Sequence, residues 1–160
     1  VKVELKNIKE AGGEETPRFE ATLYLDGKKA AIVSNGGTGG CNCYHWFDQI
    51  LGKSEFGARF NAYAKEQNPV PAIMPDGKPA TESFTRYFHT EVMDTEVFKM
   101  LDAAANAKKL KRLCGSKTLA HLPGETYKKG EWSVFKVKFS PEVKAQLEAK
   151  HPGIKFANEG

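Results

Sequence analysis

Phe19-Glu20-Ala21-Thr22-Leu23-Tyr24-Leu25-Asp26-Gly27-Lys28-Lys29-Ala30-Ala31-Ile32-Val33 is the stretch on which the fold turns. Phe19, Ala21, Leu23 and Leu25 recur at every second position, so they share one face of an extended chain. Asp26-Gly27 interrupts the run, and this dipeptide occupies the positive-φ positions of a tight hairpin at little cost. Two antiparallel strands are predicted. Upstream, Val1, Val3 and Leu5 alternate in the same way and predict a first strand, completing a three-stranded meander across the polar loop Ala11 to Pro17.

Downstream, Ser34-Asn35-Gly36-Gly37-Thr38-Gly39-Gly40-Cys41-Asn42-Cys43 holds four glycines and must be a loop. Trp46, Phe47, Ile50 and Leu51 then share a helical stripe, continued after Gly52 by Phe56, Phe60 and Tyr63, with Asn42 as the predicted N-cap. Asn68 to Pro79 carries Pro69, Pro71, Pro75 and Pro79, and neither regular structure continues through it. It is read as an ordered connector, because Val70, Ile73 and Met74 are apolar enough to pack.

Beyond it, Thr81 to His89 reads as a short helix or an irregular segment. A firmer helix is capped by Asp94 or Thr95, faces Val97, Phe98, Leu101, Ala104 and Ala105 inward and stops at Gly115. Two strands are predicted at Lys117 to Leu122 and Trp132 to Phe139. Ser140-Pro141 opens a last helix with Val143 and Leu147, which ends at His151-Pro152-Gly153. The class is α+β: a three-stranded antiparallel meander plus helix, joined by the proline-rich connector to a helix, a two-stranded ribbon and a C-terminal helix. This makes a single domain over 1–160, with halves 1–67 (βββα) and 80–160 (αββα) and connector 68–79.

The chain has 160 residues, 40% of them hydrophobic, with 24 Lys and Arg against 20 Asp and Glu. That length buries a core without disulfides. Cys41, Cys43 and Cys114 are an odd number, which points away from a closed disulfide framework and toward a reducing compartment. No run approaches the roughly 18 apolar residues of a membrane span, and the N-terminus alternates like a strand rather than a signal peptide. The expectation is a soluble, cytoplasmic protein without a membrane partner. The start without Met points to a trimmed chain.

Charge is unevenly spread. From Lys108 to Lys138 there are nine cations and two anions, a local +7 against −3 for the rest. Lys108, Lys109, Lys111, Arg112, Lys117, Lys128 and Lys129, with Trp132 and Tyr127 as flat side chains on which a base can stack, form the candidate surface for nucleic acid. The plainer alternative is that helix-end cations complement the helix dipole and ribbon lysines keep the edge soluble.

Four other constellations offer chemistry or contacts. A strand, a glycine loop and a following helix can cradle an anion or nucleotide, with Ser34, Gly36, Gly37, Thr38, Gly39, Gly40 and His45 as its residues. The loop lacks a Gly-Lys-Ser/Thr ending and G-x-G-x-x-G spacing, so a conformational joint competes with that reading. Cys41, Cys43 and His45 could hold zinc with Cys114 or His121, but C-x-C is a poorer template than C-x-x-C, and no cofactor is the preferred expectation. Cys43 and His45, at a helix start, would point apart, so a cysteine nucleophile would need His89 or His121 as its base. No carboxylate pair, nucleophile elbow or H-E-x-x-H helix occurs, which weighs against an enzyme. Tyr87, Phe88 and the connector's apolar residues form either a recognition patch or glue between the halves.

Phe19 to Lys29, continuing to Val33-Ser34-Asn35, Gly39-Gly40 and Tyr44-His45, resembles small proteins of bacteriophages and related mobile elements, and so does Lys117 to Phe139 followed by Ser140-Pro141-Glu142-Val143. No activity or site residue comes with the resemblance. It implies a context in which small proteins bind nucleic acid or the host complexes that handle it, defence systems among them. The expectation is therefore a non-enzymatic phage-type binding protein, a host-defence inhibitor being one form of it, with a nucleotide-binding or nucleotide-processing glycine-loop protein as the alternative.

Overall fold

The computed structural model describes residues 1–71 and 73–159, apart from the side chain of Tyr87. The fold is α+β, with a four-stranded antiparallel sheet and a separate three-stranded one. Two compact units are present, Val1–Leu101 and Asp102–Gly160, and the division falls inside a helix rather than at the proline-rich segment 68–79. Among the described residues no helix is long and apolar enough to cross a membrane.

In the first unit, β1 (Val3–Ala11), β2 (Arg18–Leu25), β3 (Lys28–Gly36) and β4 (Cys43–Trp46) lie in sequence order. The predicted hairpin forms: Leu25 pairs with Lys28, and Asp26 and Gly27 both take positive φ, 48° and 78°. These are the values a two-residue turn needs to match the strand twist. Asp26 also accepts from the Lys2 N–H at 2.9 Å and pairs with Arg59. Phe19, Ala21, Leu23 and Leu25 of β2 and Ala31 and Val33 of β3 make a fully buried face. It is covered by Phe60 of α1 (Glu55–Gln67) and by Val97 and Leu101 of α2 (Glu82–Cys114).

The glycine loop leads into a fourth strand, not a helix. Tyr44 and Trp46 turn inward while Cys43 and His45 are exposed, a period of two. Tyr44 and Trp46 stack at 5.5 Å, each ring about 6.4 Å from Phe60, so burial of two aromatics decides the conformation. The rest of the expected stripe is not core: Phe47, Ile50 and Leu51 are 57%, 73% and 96% exposed. Asn42 therefore caps nothing. The helix begins at Glu55, where the Ser54 hydroxyl accepts from the Gly57 N–H at 2.8 Å.

A second difference is that the expected break at Asp94 or Thr95 does not occur, and one helix of 33 residues runs through it. Thr81 starts it, its hydroxyl accepting from the Phe84 N–H at 3.1 Å. The cap-type residues inside the helix are otherwise engaged: Thr95 bonds back to the Glu91 carbonyl, and Asp94 reaches across to β4. In segment 68–79, Ile73 is 67% exposed and contributes little packing, whereas Val70 and Met74 are half-buried.

In the second unit, β5 (Thr118–His121) lies between β6 (Ser133–Phe135) and a strand not foreseen, β7 (Lys155–Phe156), so the expected ribbon is a three-stranded sheet. The core is small: Ala120, Ile154 and Phe156, with Leu122, Phe135, Phe139 and Leu147 packed on it. The helix α3 (Pro141–Lys150) has the predicted cap, Ser140 accepting from the Val143 N–H at 3.2 Å. Asn158 ties the end of α2 to β5. Its amide donates to the carbonyls of Lys117 (2.8 Å) and Cys114 (3.2 Å), and its oxygen accepts from the Leu119 N–H (2.8 Å).

Candidate nucleic-acid interface

Charge divides with structure. Asp102–Gly160 holds twelve Lys and Arg against six Asp and Glu, a net +6, and Val1–Leu101 holds twelve against fourteen, a net −2. Among the described residues none of the nine cations from Lys108 to Lys138 makes an ion pair. The two anions in the span are occupied locally: Glu125 accepts from the Tyr127 hydroxyl and Glu131 from the Lys128 N–H. Side-chain ion pairs among the described residues therefore leave this positive charge unneutralised.

The aromatic part is a three-ring stack. Tyr127 and Trp132 lie on His121 with centroids at 4.2 and 3.9 Å and planes within 22° and 15°. Two rings so close to one imidazole take its opposite faces, so His121 is the middle layer. Hydrogen bonds fix Tyr127 and His121. The Tyr127 oxygen meets the Leu122 N–H (3.0 Å), Glu125 (2.9 Å) and the Ser133 hydroxyl (2.8 Å). His121 Nε2 lies 2.8 Å from the Glu131 carbonyl, which only accepts, so Nε2 carries the proton. By sequence Trp132 and Tyr127 are the platforms and His121 a metal ligand or base; its place between them comes from β5 and the loop folding back together.

Beside the stack is a cavity of about 550 Å³. One wall is α2, through Asn106, Lys109, Leu110 and Leu113; the floor is Leu119 and Val134; the other wall is the loop from Thr126 to Trp132. Asn106, Lys109, Leu110 and Leu113 recur at the three- and four-residue spacing of one helix face. That spacing extends the inward face of the helix past Ala105, the last position the sequence periodicity marks.

The same helix geometry separates the candidate cations. At about 100° per residue, Lys108 and Lys111 lie opposite the face of Asn106, Lys109, Leu110 and Leu113, and Arg112, three residues after Lys109, borders it. All four cations are exposed. Lys109 and Trp132 meet at one cavity, Lys128 and Lys129 lie in the loop that lines it, and Lys117 is half-buried between α2 and β5. On α2 the cations are therefore divided, with Lys109 at the cavity and Lys108 and Lys111 on the opposite side of the helix.

The glycine loop, by contrast, is closed on itself around Asn35. Its carboxamide oxygen accepts from the Gly37 N–H (2.8 Å) and the Thr16 hydroxyl (2.9 Å), and its amide donates to the Gly40 carbonyl and to Asn42 (3.0 and 2.9 Å). The Gly39 N–H goes to Thr16 and the Asn42 N–H to Asp94. The N–H groups of Gly37, Gly39 and Asn42 are therefore taken, and Glu91 and Asp94 place negative charge beside the loop. Ser34 pairs with Cys43 across β3 and β4, Gly36 ends β3, and Thr38 is exposed at the loop tip.

Cys43 and His45 share the exposed side of β4 instead of pointing apart, because the segment is a strand. Only Cys41 of the three expected metal ligands joins others: it lies with Glu91 and Asp94, ligand atoms within 4.8 Å of one another. Asp94 spends its two oxygens on the Asn42 N–H and the Tyr44 hydroxyl, which leaves the group poorly suited to an ion. All three cysteines are free thiols. Phe88 packs near Phe84 at 6.0 Å, and the Tyr87 side chain lies outside the described residues. Compared with protein-family models, curated proteins and solved structures, the chain matches none.

Proposed function

We propose that the protein is a non-enzymatic binding protein of the bacteriophage type whose unit Asp102–Gly160 engages single-stranded nucleic acid. The observation that carries this reading is the Tyr127–His121–Trp132 stack set among cations that have no ion-pair partner among the described residues. Rigid flat rings offer sequence-tolerant stacking, and unneutralised lysines offer phosphate contacts whose strength comes from counterion release. A base splayed from its neighbours meets both at once. The stack costs little to present, because hydrogen bonds already hold Tyr127 and His121 in place and Trp132 rests on His121.

Fluorescence anisotropy with a labelled oligonucleotide of mixed sequence tests it. Affinity should fall about 10–100-fold between about 50 and 200 mM salt, as for a handful of phosphate contacts. Absence of binding at the lowest salt overturns the nucleic-acid reading and leaves a host protein complex as the target to be sought.

A further inference from the structure

We infer that the cavity between α2 and the Thr126–Trp132 loop is a nucleotide pocket that takes a purine nucleoside monophosphate, either free or as the terminal residue of a strand. This rests on the nucleic-acid reading and sharpens it, because it turns a general platform into a site for one residue.

The argument starts from size and lining. A volume of about 550 Å³ is in the range of small-molecule sites and exceeds what a bridging water or a single side chain needs. Leu110, Leu113, Leu119 and Val134 make it apolar, as a base requires, and Trp132 borders it. One face of that indole is covered by His121, so the surface it turns to the cavity is not already stacked. A purine has the larger π-face and gains most from such a wall.

The polar groups are few and complementary to a nucleotide. Lys109 is the single cation of the lining, exposed and without an ion pair among the described residues, so a phosphate is its natural partner. Glu131 borders the opposite wall; one of its oxygens holds the Lys128 N–H and the other can accept from an exocyclic amine. Asn106 supplies a donor and an acceptor for a base edge or ribose. A fatty acid would suit the leucines and Lys109 but would leave the polar groups of Glu131 and Asn106 without a partner.

Calorimetric titration of AMP into the full chain tests the proposal, with adenosine, a 5′-phosphorylated oligonucleotide and its 5′-hydroxyl counterpart as further ligands. AMP should bind, and adenosine should bind about tenfold more weakly or less. Lys109→Gln should bring AMP down to the affinity of adenosine. Ala107→Trp, at an exposed position on the cavity wall, should fill the space and abolish AMP binding with the thermal transition unchanged. No AMP heat at millimolar ligand, or AMP binding unaffected by Ala107→Trp, overturns the pocket. If oligonucleotides bind and AMP does not, the pocket falls while the nucleic-acid reading stands; if AMP binds and oligonucleotides do not, the reverse holds. Preference for the 5′-phosphorylated strand over its hydroxyl form identifies a strand end as the source, and equal affinity identifies free nucleotide.

Discussion

The Tyr44 hydroxyl donates to Asp94 Oδ1 at 2.6 Å, joining the inner face of β4 to α2 across fifty residues of chain. The second Asp94 oxygen accepts from the Asn42 N–H at 2.9 Å, so a single carboxylate fixes both the start of β4 and the ring that stacks on Trp46. This explains why β4 belongs to the sheet although it is short, and why α2 does not break at Asp94: the residue that would cap a new helix is committed elsewhere.

The pair makes stability fall at high pH. Burial first, then the hydrogen bond and charge of Asp94, push the Tyr44 hydroxyl above its ordinary value of 10.0. The folded chain therefore keeps this proton above pH 10 while the unfolded chain gives it up, so the contribution is complete below pH 10 and shrinks as pH rises past it. Urea unfolding between about pH 9 and 11 should show a declining midpoint, and Tyr44→Phe should flatten the decline attributable to this residue. At pH 7 the same substitution should cost about 1–3 kcal/mol, since it leaves Asp94 one donor short. A midpoint independent of pH in the parent protein would count against the burial of this hydroxyl.

Asp26 predicts the opposite slope at acid pH. The Lys2 N–H and then the Arg59 guanidinium hold its carboxyl below the ordinary 3.8. Its contribution is present above pH 3.8 and is lost as pH falls, when the folded state must take up the proton. Asp26→Asn is the informative variant, because Asn-Gly also forms the tight turn and only the charge is removed. The variant should keep its circular dichroism spectrum and lose part of the acid dependence of its unfolding midpoint. A collapse of the sheet signal would show that the charge, and not the turn chemistry, holds the hairpin.

The hairpin and the final helix were legible because local chemistry dictates them: Asp26-Gly27 needs no distant partner, and neither does Ser140-Pro141. Where the reading failed, a distant partner decided. Tyr44 and Trp46 could be spaced for a strand or begin a helical stripe, and Phe60, fourteen residues past Trp46, settles it. Asp94 and Thr95 are cap residues by type and helix interior by context. The site was legible in part. Charge count and the Trp132 and Tyr127 rings pointed to Asp102–Gly160, but whether cations share a face depends on helix phase, and the role of His121 depends on a loop returning over β5.

Two substitutions separate the stabilities of the units. Phe60 is fully buried among Leu23, Leu25 and Val97, and Phe60→Ala should cost about 3–5 kcal/mol in urea unfolding. Asn158→Ala removes three hydrogen bonds at once, leaving the carbonyls of Lys117 and Cys114 and the N–H of Leu119 short of a partner, at about 1–3 kcal/mol for each group that water cannot reach. Hydrogen exchange followed by peptide should place the first loss in Val1–Leu101 and the second in Asp102–Gly160. Equal loss in both units for both variants would mean that the chain unfolds as one cooperative body.

Charge reversal distinguishes the cavity side of α2 from its far side. If bases stack beside Trp132, phosphates run past the cavity side of α2 and the Lys128-Lys129 turn, so Lys109→Glu with Lys128→Glu should weaken oligonucleotide binding strongly. Each lost phosphate contact should also lower the slope of log affinity against log salt by about 0.7. The reversal of Lys108 and Lys111 alters charge on the opposite face of the helix, and it should act only through the general field, changing affinity modestly and leaving the slope nearly intact. Anisotropy at several salt concentrations reads both quantities. A larger slope change from the Lys108 and Lys111 reversal than from that of Lys109 and Lys128 would move the phosphate track to the far side of α2 and detach it from the aromatic stack.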